Sequence, residues 1–112
     1  MMSKLTNGIK EVEINGEDYT LKVTVAAIEA IENRYGSITG AAQACMKINL
    51  QDSAFIISHA ASLNKEQSKK LKQHLSKVGM EQAAVIATDY LGMVLNPNGE
   101  PDDEDEDESG ED

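Results

Sequence analysis

Cys45, His59 and His74 are the side chains of this chain whose types could supply a nucleophile or a metal ligand. A thiol attacks only as its thiolate, which requires a neighbouring base or an electropositive setting. Cys45 instead falls among Ala41, Ala42, Ala44 and Met46, a setting that predicts a packed core thiol. The two histidines are fifteen residues apart, and neither has a second ligand at helical spacing. A zinc site needs three or four ligands, so no metal is expected. His59 is expected half-buried on a helix, and His74, among lysines, solvated. There is no Walker sequence, no Gly-x-Gly-x-x-Gly and no carboxylate pair in an apolar setting. These residues predict a non-enzymatic protein without a cofactor.

Asp52-Ser53-Ala54 resembles the phosphopantetheine-bearing serine of acyl carrier proteins, which are also small, acidic and helical. The flanks depart from that pattern, since Leu50-Gln51 precedes the pair and Ala54 follows it. Asp and Ser are also ordinary residues of a helix's first turn, where a carboxylate meets the positive end of the helix dipole.

Charge is divided sharply along the chain. The net charge is −10 over 112 residues. Residues 1–99 hold ten Asp and Glu and all ten Lys and Arg, so the other ten acids fall within residues 100–112. The domain is neutral and the tail carries the whole imbalance. Residues 97–112 are expected to form a disordered acidic tail, residues 1–8 a frayed start, and residues 9–96 one domain. A domain of that size buries about 60–65% of its unfolded surface. With no Trp and one Phe, aliphatic and Met side chains must fill it. One cysteine excludes an internal disulfide and fits a reducing compartment. No leader and no apolar run of about 18 residues is visible, so the expectation is a soluble cytoplasmic protein with no membrane contact.

The elements that position these residues follow from periodicity. Val12 and Ile14 alternate with acids, as do Tyr19, Leu21 and Val23 with polar residues, and Asn15-Gly16 lies between them. Asn and Gly tolerate positive φ, as a two-residue hairpin turn requires. From Thr24 the period becomes helical, with Ile28, Ile31 and Tyr35 on one face and Gly36 as a left-handed stop. A second helix should begin at Ser37 or Thr39, weakened by Gly40 in its first turn, and run to Ile48. A third should follow Asn49, from about Gln51 to Leu63. Asn64 with Gln67 predicts a capping box for a lysine-rich outer helix ended by Gly79. A broadly apolar last helix should end at Asn96-Pro97. The fold class is α+β, mostly α: an N-terminal β-hairpin followed by a bundle of four to five helices.

The third and last helices look more apolar than one small bundle requires. Met46, Phe55, Ile56, Met80 and Met93 are therefore candidates for a partner-binding apolar surface. The one basic patch, Lys65, Lys69, Lys70, Lys72 and Lys77, lacks interleaved aromatics and shares its chain with the acidic tail, so nucleic-acid binding is disfavoured. The tail itself could fold back onto that patch.

Read together, NGEDYTLKVTVAAIEAIENRYGSI resembles the small tail assembly chaperones of long-tailed phages and gene transfer agents. The resemblance rests on the Gly-containing turn, the Tyr-x-Leu strand, the Thr-led helix and the Ile31-Glu32-x-x-x-Gly36 segment. It continues more loosely to about residue 95. Asn15, Gly16, Tyr19, Leu21, Glu32 and Gly36 match as fold-defining positions. The long acidic tail departs from a minimal member. The resemblance implies a non-enzymatic chaperone that binds the tape measure protein, with the tail tube protein as a further partner and weak self-association. It would act in the host cytoplasm and be absent from the mature virion. A different reading takes the acidic segment as a nucleic-acid mimic that blocks a DNA-binding protein; the carrier reading of Ser53 is a third.

Overall fold

Asn15 and Gly16 both take positive φ, 53° and 84°, and this two-residue turn fixes the register of everything before α1. It joins β1 (Ile9–Ile14) to β2 (Glu17–Lys22) as an antiparallel pair in which Val12 faces Tyr19 and Lys10 faces Leu21. Ile14, Tyr19 and Leu21 are buried, with Val12 and Val23 packed beside them. A lone hairpin is marginal in water; here its apolar face rests on helices. The computed structural model describes residues 8–97. The frayed-start expectation for residues 1–7 and the tail expectation for residues 98–112 lie outside the described residues. Gly8 belongs with the hairpin rather than with a frayed start, because its carbonyl accepts a 2.8 Å hydrogen bond from the Val23 N–H.

Five helices follow: α1 (Val25–Tyr35), α2 (Ile38–Cys45), α3 (Leu50–Ala60), α4 (Lys65–Val78) and α5 (Met80–Leu95). The first four start on side-chain caps, which satisfy N–H groups that have no partner within the helix. Thr24 accepts from the Ala27 N–H, Ser37 from Gly40, and Asn49 from Asp52. Asn64 and Gln67 exchange both bonds of a capping box. Gly36 (φ 83°) closes α1 by donating its N–H to the Glu32 carbonyl at 2.7 Å.

Two helices end earlier than their apolar pattern suggests. α2 stops at Cys45 rather than Ile48, and α3 at Ala60 rather than Leu63. The turns after them use Ile48 (φ 54°) and Ser62 (φ 55°) in the left-handed region. For a β-branched residue such as Ile48 that conformation costs on the order of 1–3 kcal/mol.

α3 is the central helix. Its Ile56, Ile57, Ala54 and Ala60 are buried, and α3 touches all four other helices and β2. Tyr90 on α5 is the largest fully buried side chain. Its hydroxyl donates to the Lys22 carbonyl at 2.6 Å, tying α5 to β2, and burial pushes its pKa up to about 12. The lysine-rich α4 contributes a narrow buried stripe, Leu71 and Leu75, with Val78 packed beside it. Among the described residues no helix is long and apolar enough to cross a membrane.

Candidate functional site

The end of α1 brings Arg34 and Tyr35 against α3, where the structure builds its densest side-chain network. Tyr35 donates its hydroxyl to the Asp52 carboxylate at 2.6 Å, and the Asn49 amide donates to the other carboxylate oxygen at 2.9 Å. Burial alone would raise the Asp52 pKa. The two hydrogen bonds and the charges of Arg34 and Lys47 outweigh it and hold Asp52 below the usual carboxylate value. Tyr35 moves the other way, raised by burial and then by the Asp52 bond and charge. Asp52 is thus a strut between α1, the α2–α3 turn and α3.

The direction of that shift sets a pH dependence. A carboxylate whose folded pKa is depressed adds stability above its unfolded pKa and loses it as pH falls through the folded value. Wild type should therefore lose stability on acidification through the ordinary Asp range and below. Asp52→Asn should remove that part of the slope, and near pH 7 should cost ~2 kcal/mol, the scale of a hydrogen bond to a charged group. Urea denaturation of both proteins between pH 7 and pH 3 checks it. Parallel curves would mean that Asp52 is not the strut described.

Arg34 lies over aromatic faces, its guanidinium carbon 4.6 Å from the Phe55 ring centroid and 5.6 Å from that of Tyr35. Tyr35 meets Phe55 edge-on at 5.9 Å, and His59 lies 4.5 Å from Phe55 along α3. Between this cluster and α4 runs an open cleft of about 260 Å³, lined by Arg34, Phe55, Ser58, His59, Ser68 and Lys72. Its polar groups are the Arg34 and Lys72 cations, the Ser58 and Ser68 hydroxyls, the His59 imidazole and the Gln51 amide, beside the Phe55 ring. Such a cleft can accept anions, but it holds no base paired with a nucleophile.

The residues with chemical potential are placed as follows. Cys45 is fully buried, as its neighbours predict, and its thiol is pushed up to about 11 by burial and then by Asp52. The two histidines exchange their expected environments. His59 is exposed, whereas His74 is half-buried, with its Nδ1 accepting from the Asn15 amide at 3.0 Å. That bond pins the hairpin turn to α4. Among the described residues no group of three or more His, Cys, Asp or Glu is placed to hold a metal ion.

Ser53 contradicts the carrier reading. It is 0% exposed, so no transferase can reach its hydroxyl in this fold. Among the described residues its Oγ has no hydrogen-bond partner, and an unsatisfied buried hydroxyl costs about 1–3 kcal/mol. Ser53→Ala should therefore raise unfolding stability by ~1 kcal/mol, read as a higher urea midpoint at unchanged slope. A loss of stability would indicate that the hydroxyl is satisfied by a bound water.

The candidate partner surface is divided by the structure. Met46 is 75% exposed in the turn after α2, and Met80 is half-buried at the α4–α5 junction, in a shallow depression with Val78 and Val85. Phe55 is half-buried under Arg34. Ile56 (0%) and Met93 (7%) are core residues and form no surface. The apolar surplus of α3 is consumed because five elements surround it. Sequence reading missed exposed Val25, Ile48, Val85 and Leu95. Val85 had a legible signal, since it falls with Glu81 and Asp89 on the solvent stripe of α5 at spacings of four. Among the matched family positions, Asn15, Gly16 and Gly36 make turns and Tyr19 and Leu21 are buried. Glu32 offers its backbone carbonyl to Gly36, while its side chain faces solvent.

Comparison with protein-family models, curated proteins and solved structures finds no match to this chain.

Proposed function

We propose that this chain is a tail assembly chaperone, which binds the tape measure protein of a long-tailed phage or prophage and keeps it soluble while the tail tube assembles. The observation that carries the reading is the set of apolar side chains left outside an otherwise well-filled core. Val25 is 71% exposed, Met46 75%, Leu95 68% and Val85 49%. Isolated exposed apolar residues are ordinary; four this open, on a domain with no surplus left inside, favour contact with an apolar partner. The resemblance of residues 9–95 supplies the partner's kind. A tape measure protein is a long helical rod whose apolar stripes need covering until tube subunits replace the cover. Many weakly bound copies along one rod give reversible protection.

Coexpression tests this. If the proposal holds, a tape measure protein from the same genome should be recovered soluble with the chain and insoluble without it. Equal recovery in both would sink the proposal. The double variant Met46→Asp, Val85→Asp alters only exposed positions and should keep the fold. It should nevertheless lose most of the protection.

A further inference from the structure

The outer face of α4 is strongly cationic, and the neutrality of residues 1–99 hides it. The helix carries five Lys against a single Glu. Among the described residues the one ion pair is Lys10–Asp89, at 3.5 Å, so these lysines face no carboxylate of the described domain within bonding distance. Beside them the cleft adds Arg34 and His59, with Ser58 and Ser68 as hydroxyl donors. Arg34 is held in place by stacking on Phe55, so its planar donor fork is preset for carboxylates.

The same chain carries the complement. Residues 102–108 are seven consecutive carboxylates. They begin five residues and end eleven residues beyond Pro97, the last described residue, so they reach roughly 16–40 Å from it when extended. The far end of that span exceeds the two shorter extents of the domain, 32 Å and 24 Å, so the segment can fold back across them onto another face. A tether of this length supplies the segment to the face at an effective concentration on the order of millimolar. An external acidic partner would have to exceed that concentration to compete.

We propose that the cationic face made by α4 and the Arg34–Lys72 cleft is a docking surface for the acidic segment 102–108 of the same chain. Docking offsets the positive charge of the face and keeps other polyanions off it. It is electrostatic and multivalent, so salt weakens it as the Debye length falls from about 10 Å at 0.1 M to about 3 Å at 1 M. It is independent of the chaperone reading, since it requires no second protein.

The test uses the full chain with a nitroxide at Ser109→Cys. Cys45 is fully buried and stays unlabelled at neutral pH. At low salt the amides of Ser58, Ser68, Lys69 and Lys72 should broaden several-fold more than those of α2 and α5. The effect should vanish at 1 M salt. It should also vanish when residues 102–108 are changed to the corresponding amides, or in the variant Arg34→Gln, Lys69→Gln, Lys72→Gln. Broadening spread evenly over the domain, or unchanged by either set of substitutions, would overturn the proposal. So would broadening that appears only between labelled and isotope-enriched copies in a mixture, which would assign the contact to a second chain.

Discussion

Ile56→Ala is expected to lower the unfolding free energy by ~3 kcal/mol, while Met46→Ala stays within about 0.5 kcal/mol of wild type. Both residues look alike in the sequence: apolar positions on predicted helices, each a candidate for the partner surface. In the structure Ile56 is 0% exposed at the centre of α3, whereas Met46 is 75% exposed beyond the end of α2. Truncating Ile56 removes three buried carbons and leaves a cavity that the surrounding helices close only in part. Truncating Met46 removes carbons that water already touches. A domain of this size has a total stability of about 5–15 kcal/mol, so the first change takes a large share of it. With a urea slope of ~1 kcal/mol per M, the midpoint should fall by ~3 M with the slope unchanged. Met93→Ala, at 7% exposure, should follow Ile56. If Ile56→Ala instead left stability intact and weakened partner binding, the helices would be opening to share their core with another chain.

The contrast between Ile56 and Met46 marks where the sequence stops being informative. Local signals were read with success because their physics is local. Asn15-Gly16 makes its turn through two positive φ values, and Asn64 with Gln67 closes a capping box within one turn of chain. Burial on α3 is not local. Its apolar residues point several ways, and only the placement of the other helices decides whether the extra faces are covered. The ends of α2 and α3 were misplaced for a related reason. Their left-handed residues are Ile48 and Ser62, neither of which carries the glycine or asparagine signal for that conformation. The Arg34–Phe55 stack joins positions 21 apart in the chain, and the Asn15–His74 bond joins positions 59 apart. Nothing in either neighbourhood announces its partner, so the cleft became visible only with the fold.

Gly40 and Gly92 should answer the same substitution with opposite signs. Both lie within helices, and propensity alone predicts that alanine gains ~1 kcal/mol at either site by reducing the freedom of the unfolded chain. At Gly92, on the exposed side of α5, an added Cβ meets nothing within 4 Å, so Gly92→Ala should gain that amount. At Gly40 the Cβ would lie 2.5 Å from the Tyr35 carbonyl oxygen and 3.2 Å from the Ser37 hydroxyl. The first is backbone and cannot rotate away. The corner is fastened on both sides: Gly36 donates its N–H to the Glu32 carbonyl, and Ser37 caps α2 by accepting from the Gly40 N–H at 2.8 Å. Relief must move α2 outward, weaken that cap and disturb Ile38 and Ala41, which are buried beneath it. The clash and the strained cap should outweigh the propensity gain and leave Gly40→Ala ~2 kcal/mol less stable than wild type. Urea midpoints of the two single variants and their double test this directly. The sites lie on different helices, and a Cβ at Gly92 meets nothing within 4 Å, so the double should equal the sum of the singles. A gain at Gly40 would mean that the α1–α2 corner yields more easily than its hydrogen bonds imply. The glycine would then be a site where stability was left unclaimed rather than a spacer that lets two helices approach.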